Sequence, residues 1–348
     1  MSTEEPSHHR WLILIIAWLT AFTCALTINC YPPLLDEMME GLGMTIPQAG
    51  LLMSITTLTQ MSFTFVGGIL ADRYGTKRTM GTGITIMALS QVASGLANTF
   101  PLQAASRLLI GVGGGVSIVC AIKSLSEWFP SKELAMAASI QAMGWAIGNT
   151  VGLAASIPLS HLLGMGWKGA FLAFGALAMG DVFVFLKLGK EREPSPTEIE
   201  RRTINRAGGF SEMLKVRELW TITIGIAGAW SGSSIVMTWL PKSLIDAGWG
   251  ELSASLLATT IPLVGIIANP TGGVASDRLG LRKPLIALSG IFLCVSYGLL
   301  SIATQGILIW IAAVMSGWFS YLFVGPLLAI PAELPEIGHE KSGTFFGL

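Results

Sequence analysis

The pattern that decides the fold first appears as Gly68-Ile69-Leu70-Ala71-Asp72-Arg73-Tyr74-Gly75-Thr76-Lys77-Arg78. It returns as Gly273-Val274-Ala275-Ser276-Asp277-Arg278-Leu279-Gly280-Leu281-Arg282-Lys283. Both copies have the spacing G-x-x-x-D-R-x-G-x-[RK]-[RK], and they lie 205 residues apart. The same offset separates Pro130 from Pro335, each of which follows an apolar stretch. Two matches at one offset indicate a duplicated bundle.

The composition points to lipid as the solvent of this chain. Of its 348 residues, 52% are hydrophobic and only 12% are charged, and the mean hydropathy is +0.64. A soluble domain usually carries about 25% charged residues. The chain therefore has too little polar surface for a soluble protein and too much apolar sequence for a disordered one. The net charge is zero, and no basic tract suggests a nucleic-acid partner.

Ten apolar stretches are long enough to span a membrane, which takes about 20 mostly apolar residues. We predict spans at 11–35, 49–71, 79–97, 101–129, 134–163, 168–187, 219–245, 252–276, 284–303 and 306–334. An eleventh apolar stretch begins near Gly343. The four cysteines all lie in apolar runs and are interpreted as small buried core residues.

The basic residues predict the orientation. With the N-terminus in the cytoplasm, 17 of the 21 Lys and Arg residues fall in cytoplasmic segments, and only Lys168 and Lys242 fall in outer loops. Such a bias is the positive-inside signal. We therefore expect a multi-pass protein of the plasma (cell inner) membrane with a cytoplasmic N-terminus.

The doubled motif predicts a cytoplasmic hairpin between two helices in each bundle. The first glycine lets helices approach, the second makes the tight turn, and the aspartate meets a helix N-terminus or an arginine. The basic pair anchors the turn to the inner leaflet. These charges either only set the topology or also latch the conformational cycle. The gating candidates are Gly68, Asp72, Arg73, Gly75, Lys77, Arg78, Glu127, Gly273, Asp277, Arg278 and Gly280.

The doubled motif resembles the loop signature of the major facilitator superfamily of secondary transporters. Arg107-Leu-Leu-Ile-Gly111-Val-Gly113 is similar to the R-x-x-x-G-x-G motif of that superfamily, and Gly166-Trp167-Lys168 is a further match. The resemblance implies two six-helix halves that rock around a central path lined by spans 1, 4, 7 and 10. The fold class expected is thus an all-α membrane protein of two pseudo-symmetric six-helix bundles.

The domains expected are an N-terminal bundle at 1–187, a cytoplasmic linker at 188–218 and a C-terminal bundle at 219–348. The linker is rich in both signs of charge, as solvated linkers are. The C-terminal bundle is predicted to hold four spans and the start of a fifth, so we expect it to be truncated after its fourth helix. The repeat offset places the end of a twelfth span about 45 residues beyond Leu348. We therefore expect a fragment or a disrupted gene rather than a natural ten-span protein.

Two weaker resemblances bear on what is carried. The stretch from Gly144 to Leu153 is similar to the antiporter motif G-x-x-x-G-P-x-x-G-G, with Asn149 in place of the proline, although such a glycine stripe is also ordinary helix packing. Trp239-Leu240-Pro241 resembles branches that carry small anions, the cyanate-type and anion:cation symporter groups. Nitrate is disfavoured, because the basic residues of the nitrate branch are missing from spans 2 and 8.

Ionisable residues within spans are default candidates for function. Arg107 is a candidate to bind an anion or to hold a hydrogen-bond network, against simple snorkelling. Lys123 and Glu127 are four residues apart and are predicted to pair with each other. Asp181 is the only acid deep in a span and is the candidate for proton coupling, although span 6 is usually peripheral in this family and Lys187 follows six residues later.

Uncharged candidates lie on the helices expected to line the path, where each is about as well explained as core or as an interfacial anchor. Together with Arg107, the substrate-binding candidates are Asn29, Tyr31, Trp230, Ser234 and Tyr321.

The expected function is secondary transport of a small solute, most plausibly an anion, by alternating access. The partners expected are that solute, a coupling ion and lipid, with the protein as a monomer. No metal-ligand spacing, catalytic motif or phosphate loop is present, so neither enzyme chemistry nor a cofactor is expected. The alternatives are a proton-coupled drug or metabolite antiporter and a non-transporting sensor on the same fold.

Overall fold

A computed structural model of the protein describes residues 9–190, 217–280, 282–303 and 305–324. All the regular structure in these ranges is helical, which confirms the all-α prediction. The helices are α1 His9–Asn29, α2 Leu35–Leu42, α3 Ile46–Tyr74, α4 Thr76–Gly95, α5 Phe100–Trp128, α6 Ser131–Leu163, α7 Trp167–Leu188, α8 Arg217–Asp246, α9 Glu251–Leu279, α10 Arg282–Ile302 and α11 Ile307–Leu322. A single 3-10 turn, Pro32–Leu34, leads into α2.

Each predicted span overlaps one helix of at least 20 residues, except the tenth, which overlaps the 16-residue α11. Helix α2 is an added short helix in the acidic loop after span 1. Within the described ranges, seven helical segments are long and apolar enough to cross a membrane. They are His9–Leu42, Ile46–Tyr74, Phe100–Trp128, Met136–Leu163, Trp167–Leu188, Glu251–Ser276 and Lys283–Ile302. The part of the tenth predicted span beyond residue 324, and the predicted start of an eleventh, lie outside the described residues.

Apolar side chains cover the outer faces of these helices, as lipid contact requires. Leu58 and Met61 of α3 are both about two-thirds exposed in the isolated chain. Three cysteines are buried as predicted, but Cys294 is exposed on α10, so its interpretation as a buried core residue is wrong. Its thiol faces outward with the apolar side chains of that helix.

The chain separates into two compact units, each described by itself. The first comprises Met1–Arg192 with Pro241–Thr259, and the second Glu193–Leu240 with Thr260–Leu348. In the first unit, α3 and α4 pack on α5, α1 packs on α6, and α4 also packs on α7. In the second, α10 packs on α11.

The segment 241–259 is held in the first unit by polar contacts. The ammonium of Lys242 lies 2.6 Å from Asp36 Oδ1 and 3.1 Å from Asp246 Oδ1. The Ser255 hydroxyl donates to the main-chain carbonyl of Leu153. The ends of α8 and α9 are therefore tied to α2 and α6.

Close packing of α1 against α6 rests on a glycine stripe. A Cβ at Gly144 or Gly148 would collide with the carbonyl of Trp18 or Phe22, and one at Gly152 would lie 3.1 Å from the carbonyl carbon of Asn29. The three glycines thus let the backbone of α1 lie directly on α6. Helix packing accounts for the stripe that also resembles the antiporter motif.

We expect Gly148→Ala to destabilise the protein, since the new methyl has no room beside Phe22. Overpacking of this kind costs about 1–3 kcal/mol. Gly180→Ala on α7 is the matched control, because no described atom lies within 4 Å of a Cβ there. Thermal unfolding in detergent measures both variants. Equal melting temperatures for the two variants would contradict the packing described for α1 and α6.

Candidate functional site

Arg107 is a fully buried cation in the interior of the first unit. It projects from α5, and its guanidinium carbon lies 4.5 Å from the centre of the Tyr31 ring and 5.1 Å from that of Phe171. Its Nη1 donates to the carbonyl of Thr27 at 3.2 Å. Its Nε and Nη2 make no hydrogen bond among the described residues, and the buried Cys30 thiol is the remaining polar group beside the guanidinium. Two donors of a buried guanidinium are thus free for an acceptor.

The two aromatic rings leave the edge of the guanidinium available. Cations are attracted to ring faces, so Tyr31 and Phe171 stabilise the charge without neutralising it. The Tyr31 hydroxyl donates to the carbonyl of Ala49 at 2.8 Å, which fixes that ring. No carboxylate forms an ion pair with Arg107 in the part of the chain that the structure describes. The positive charge therefore has no local counter-ion.

Asn29 lies in the same bundle but faces α6. Its Nδ2 donates to Asn149 Oδ1 at 2.6 Å and to the carbonyl of Ala25 at 3.2 Å, and both asparagines are buried. Asn149 is the residue that replaces the proline of the antiporter motif. This amide pair links α1 to α6, so in the described state the Asn29 amide is engaged in a hydrogen bond between two helices.

The first hairpin motif forms the predicted tight turn. Gly75 alone separates α3 from α4, and its φ of 91° favours glycine. At Gly68, where close helix approach is expected, no described atom lies within 4 Å of a Cβ, so the expectation for Gly68 stays a prediction. Gly67 takes that role, since a Cβ at this position would lie 2.8 Å from Val116 Cα on α5. A shift of one residue on a helix turns the glycine by about 100°.

The partner of Asp72 also differs from the prediction. Lys123 Nζ lies 2.6 Å from Asp72 Oδ1, so Lys123 joins α5 to α3 instead of pairing with Glu127 along α5. Glu127 Oε1 accepts a hydrogen bond from the Thr76 hydroxyl at 3.0 Å. Arg73 stacks on Tyr74 at 5.3 Å. Lys123 and Glu127, which were expected to pair within α5, thus contact Asp72 of α3 and Thr76 of α4.

The basic pair of this motif lies in the first turn of α4. Lys77 lines a small cavity of about 20 Å³, together with Glu127 and Lys190, while Arg78 is exposed.

The second copy of the motif also places a glycine with positive φ at the end of a helix. Gly280 follows α9 directly and has a φ of 63°. Gly273 and Asp277 lie on α9, but their burial is outside the described structure. Arg278 is exposed at the end of α9.

The three remaining substrate candidates belong to the second unit. Trp230 is exposed on α8, and Ser234 is half-buried there, with its carbonyl accepting the Thr238 hydroxyl at 2.7 Å. Tyr321 of α11 packs its ring so closely on Gly265 that a Cβ there would collide. Tyr321 therefore takes part in packing α11 on α9.

Asp181 is a second buried charge in the first unit. It is 1% exposed on α7, and its Oδ2 accepts a hydrogen bond from the Thr23 hydroxyl at 2.8 Å. Lys187, six residues later, places its ammonium 4.3 Å from the centre of the Phe183 ring and forms no ion pair with Asp181. The nearest polar contact of Asp181 thus comes from α1.

Sequence reasoning missed the residues of α1 that meet these charges. Thr20, Thr23 and Thr27 are completely buried on one face of α1. Their i, i+3, i+7 spacing in an apolar helix is the signal that could have found them. Phe171 carried no such signal, because it is one aromatic among many on α7.

Comparisons with known proteins agree with this architecture. The chain is 25% identical over 304 residues to a probable sulfoacetate transporter, SauU, of Cupriavidus necator, covering 83% of this chain and 69% of that protein. It is 27% identical over 256 residues to a probable L-galactonate transporter of Escherichia coli, covering 69% and 55%. A hexuronate transporter of Bacillus subtilis is 25% identical over 247 residues, covering 68% and 57%. The chain spans little more than half the length of the last two.

Solved structures show the same fold. An inward-facing bacterial homologue of the human lysosomal transporter Spinster superposes with a TM-score of 0.77 at 14% identity, covering 98% of this chain and 79% of that one. The model of the family described as Major Facilitator Superfamily matches residues 17–348. The turns of the doubled hairpin, the glycine-packed helices and these likenesses together establish that the chain belongs to the Major Facilitator Superfamily.

Proposed function

We propose that the whole protein is a secondary transporter that moves a small organic anion across the cell membrane by alternating access. In this proposal the N-terminus is cytoplasmic, and the protein works as a monomer without a cofactor. The observation that carries the proposal is Arg107, a completely buried guanidinium with two unpartnered donor nitrogens.

The chemistry of this cation favours an oxyanion. Guanidinium is planar and matches carboxylate or sulfonate oxygens with two parallel hydrogen bonds. A charge held away from water interacts strongly with an arriving anion. Sulfoacetate, galactonate and hexuronate, the compounds in the names of the relatives, are all small organic anions, which supports this class.

Access to Arg107 requires a second conformation. The described state covers the guanidinium with Tyr31 and Phe171. Tyr31 lies just after the end of α1 and Phe171 belongs to α7, so a shift of either helix against α5 uncovers the two free donors. Rocking of bundles in a secondary transporter supplies such a movement. Asn29, Trp230, Ser234 and Tyr321 are proposed to complete the site in other states of the cycle.

Arg107→Ala is expected to lower uptake about 10- to 100-fold, because a hydrogen bond to a charged group contributes about 1.5–3 kcal/mol. Arg107→Lys keeps the charge but loses the planar fork, so it restores uptake only in part. Uptake of radiolabelled sulfoacetate, galactonate and a hexuronate into proteoliposomes measures both. Lys168→Met, which removes a cation near an outer helix end, is the control and transports as wild type. Wild-type uptake of any of these anions by Arg107→Ala would refute the anchor role.

We further propose that the first hairpin motif latches the conformational cycle. Asp72 is half-exposed at the end of α3 and holds Lys123 of α5 at 2.6 Å. An exposed pair of this kind contributes little stability and exchanges partners readily. Asp72 is therefore suited to change partners during the cycle, with Lys123 holding it in the described state. Asp277 is proposed to act equivalently in the second unit.

Asp72→Asn and Asp277→Asn are each expected to slow transport several-fold, since the latch loses its charge. Membrane insertion stays normal, because the turn glycines are intact. Initial uptake rates, normalised to the amount of inserted protein, measure the effect. Asp72→Glu, which keeps the charge, serves as the matched variant and retains more activity. If both asparagine variants transport at the wild-type rate, the charges only set topology.

A further inference from the structure

The carboxylate of Asp181 is left unused by the anion site. Its Oδ1 makes no hydrogen bond among the described residues, and no Lys or Arg there pairs with it. The buried Thr20 hydroxyl, which also makes no hydrogen bond, is the second hydroxyl beside this carboxylate. The side chain lies about seven residues, or roughly 10 Å, from the end of α7 at Leu188. A buried ionised carboxylate without a cation is unfavourable, and such a group commonly takes up a proton instead.

Thr23 is placed to accept either protonation state. Its hydroxyl oxygen lies within hydrogen-bond distance of three acceptors, namely the carbonyls of Leu19 at 3.0 Å and Thr20 at 3.2 Å and Asp181 Oδ2 at 2.8 Å. A hydroxyl has a single hydrogen to donate and two lone pairs with which to accept. It can therefore serve only one of these acceptors as donor at a time.

We propose that Asp181 is a proton-binding site inside the N-terminal bundle and that Thr23 is the residue that positions it. When Asp181 is ionised, Thr23 donates to Oδ2. When a proton adds to the carboxylate, the resulting acid donates to the Thr23 oxygen, and the Thr23 hydrogen turns to the carbonyl of Leu19 or Thr20. One proton is gained, no other covalent bond changes, and the hydrogen bond between Asp181 and Thr23 is kept with its direction reversed.

The proton site and the anion site share α1. Thr23 contacts Asp181, and Thr27, four residues on, accepts from Arg107 with its carbonyl. Four residues rise about 6 Å along a helix, so the two contacts are one turn apart on the same face. A movement of α1 that uncovers Arg107 for an anion therefore also moves Thr23 relative to Asp181. Anion binding is thereby linked to proton binding, and linkage makes the effect reciprocal.

This arrangement predicts symport of the anion with a proton, a coupling that rests on the proposed function. The proton site itself rests only on the contacts of Asp181.

Few other titratable side chains lie on the described parts of the helices that pack around Asp181. The helices packed against α7 are α1, α4 and α6, and the thiol of Cys24 on α1 is the group there that interacts with Asp181. Cys120 of α5 lies in an apolar cluster with Ala178 and Val182 of α7. It interacts with Asp72, Lys123 and Glu127. The other described ionisable side chains of α1, α4, α6 and α7 lie toward the helix ends, and they are His9, Arg10, Lys77, Arg78, Glu133, His161, Lys168 and Lys187.

Infrared difference spectroscopy of the purified full chain tests the proton site without any substrate. Between alkaline and acidic buffer, the wild type is expected to gain the carbonyl band of a protonated buried carboxyl group. Asp181→Asn lacks that band, and Thr23→Ser retains it. Thr23→Val removes the hydrogen bond that stabilises the ionised form, so its band persists in alkaline buffer where the wild type has lost it.

Two spectroscopic results would overturn the proton site. One is a titrating band that is unchanged in Asp181→Asn. The other is a band that disappears on addition of sodium chloride, but not potassium chloride, at constant pH, which would assign the carboxylate to a metal cation.

The coupling is tested separately in proteoliposomes with radiolabelled sulfoacetate, galactonate and a hexuronate. An inward proton gradient is expected to accelerate wild-type uptake of the transported anion, and Asp181→Asn loses this acceleration while it still exchanges anion across the membrane without a gradient. Acceleration in Asp181→Asn equal to that of the wild type would overturn the coupling. Absence of uptake in the wild type, with the titrating band intact, would refute the proposed function and leave the proton site standing.

Discussion

The need to satisfy polar groups out of contact with water governs the interior of the N-terminal bundle. Lipid offers no hydrogen bonds, so each buried polar group must find its partner inside the protein. Helix α1 meets this constraint on two sides. Some of its carbonyls lie against the glycines of α6, while the Thr23 hydroxyl contacts Asp181 of α7 and the Thr27 carbonyl accepts from Arg107 of α5. The position of α1 therefore decides the surroundings of both Arg107 and Asp181.

Glycine residues allow the helices of this bundle to pack closely. On α5, a Cβ at Gly111 or Gly115 would collide with the backbone of α3, and one at Gly113 with that of α4. Gly111 and Gly115, four residues apart, thus face the same helix, and Gly113 between them faces another. Arg107 and these three glycines lie within nine residues of α5. The buried charge and the small residues that let α3 and α4 approach α5 therefore belong to one segment.

The two buried ionisable side chains of the bundle differ in how many of their polar atoms are hydrogen-bonded. Arg107 has aromatic faces and one carbonyl, with two nitrogens free, whereas Asp181 has one hydroxyl that can reverse its role. Because Thr23 and Thr27 of α1 contact the two groups one turn apart, a movement of α1 changes the surroundings of both. In the proposed transport cycle, rocking of the two halves supplies that movement.

By itself the sequence determined the class of the protein and the sites of its turns. Runs of about 20 apolar residues predicted the membrane-spanning helices. The fixed offset of 205 residues between the two motif copies revealed the repeat. Gly75 and Gly280 were identifiable as turn residues because their local spacing demands a left-handed residue. Arg107 and Asp181 stood out because charges are rare in lipid.

Only the tertiary structure decided which residues these charges meet. Lys123 lies one turn from Glu127 in sequence yet pairs with Asp72, since the packing of α3 on α5 brings that carboxylate nearer. Gly67, not Gly68, faces α5, because the rotation of α3 about its axis is set by its neighbours. Phe171 and Thr23 reach the buried charges from helices distant in sequence. Helical periodicity determines which residues share a face, but the neighbour that covers this face depends on packing between helices.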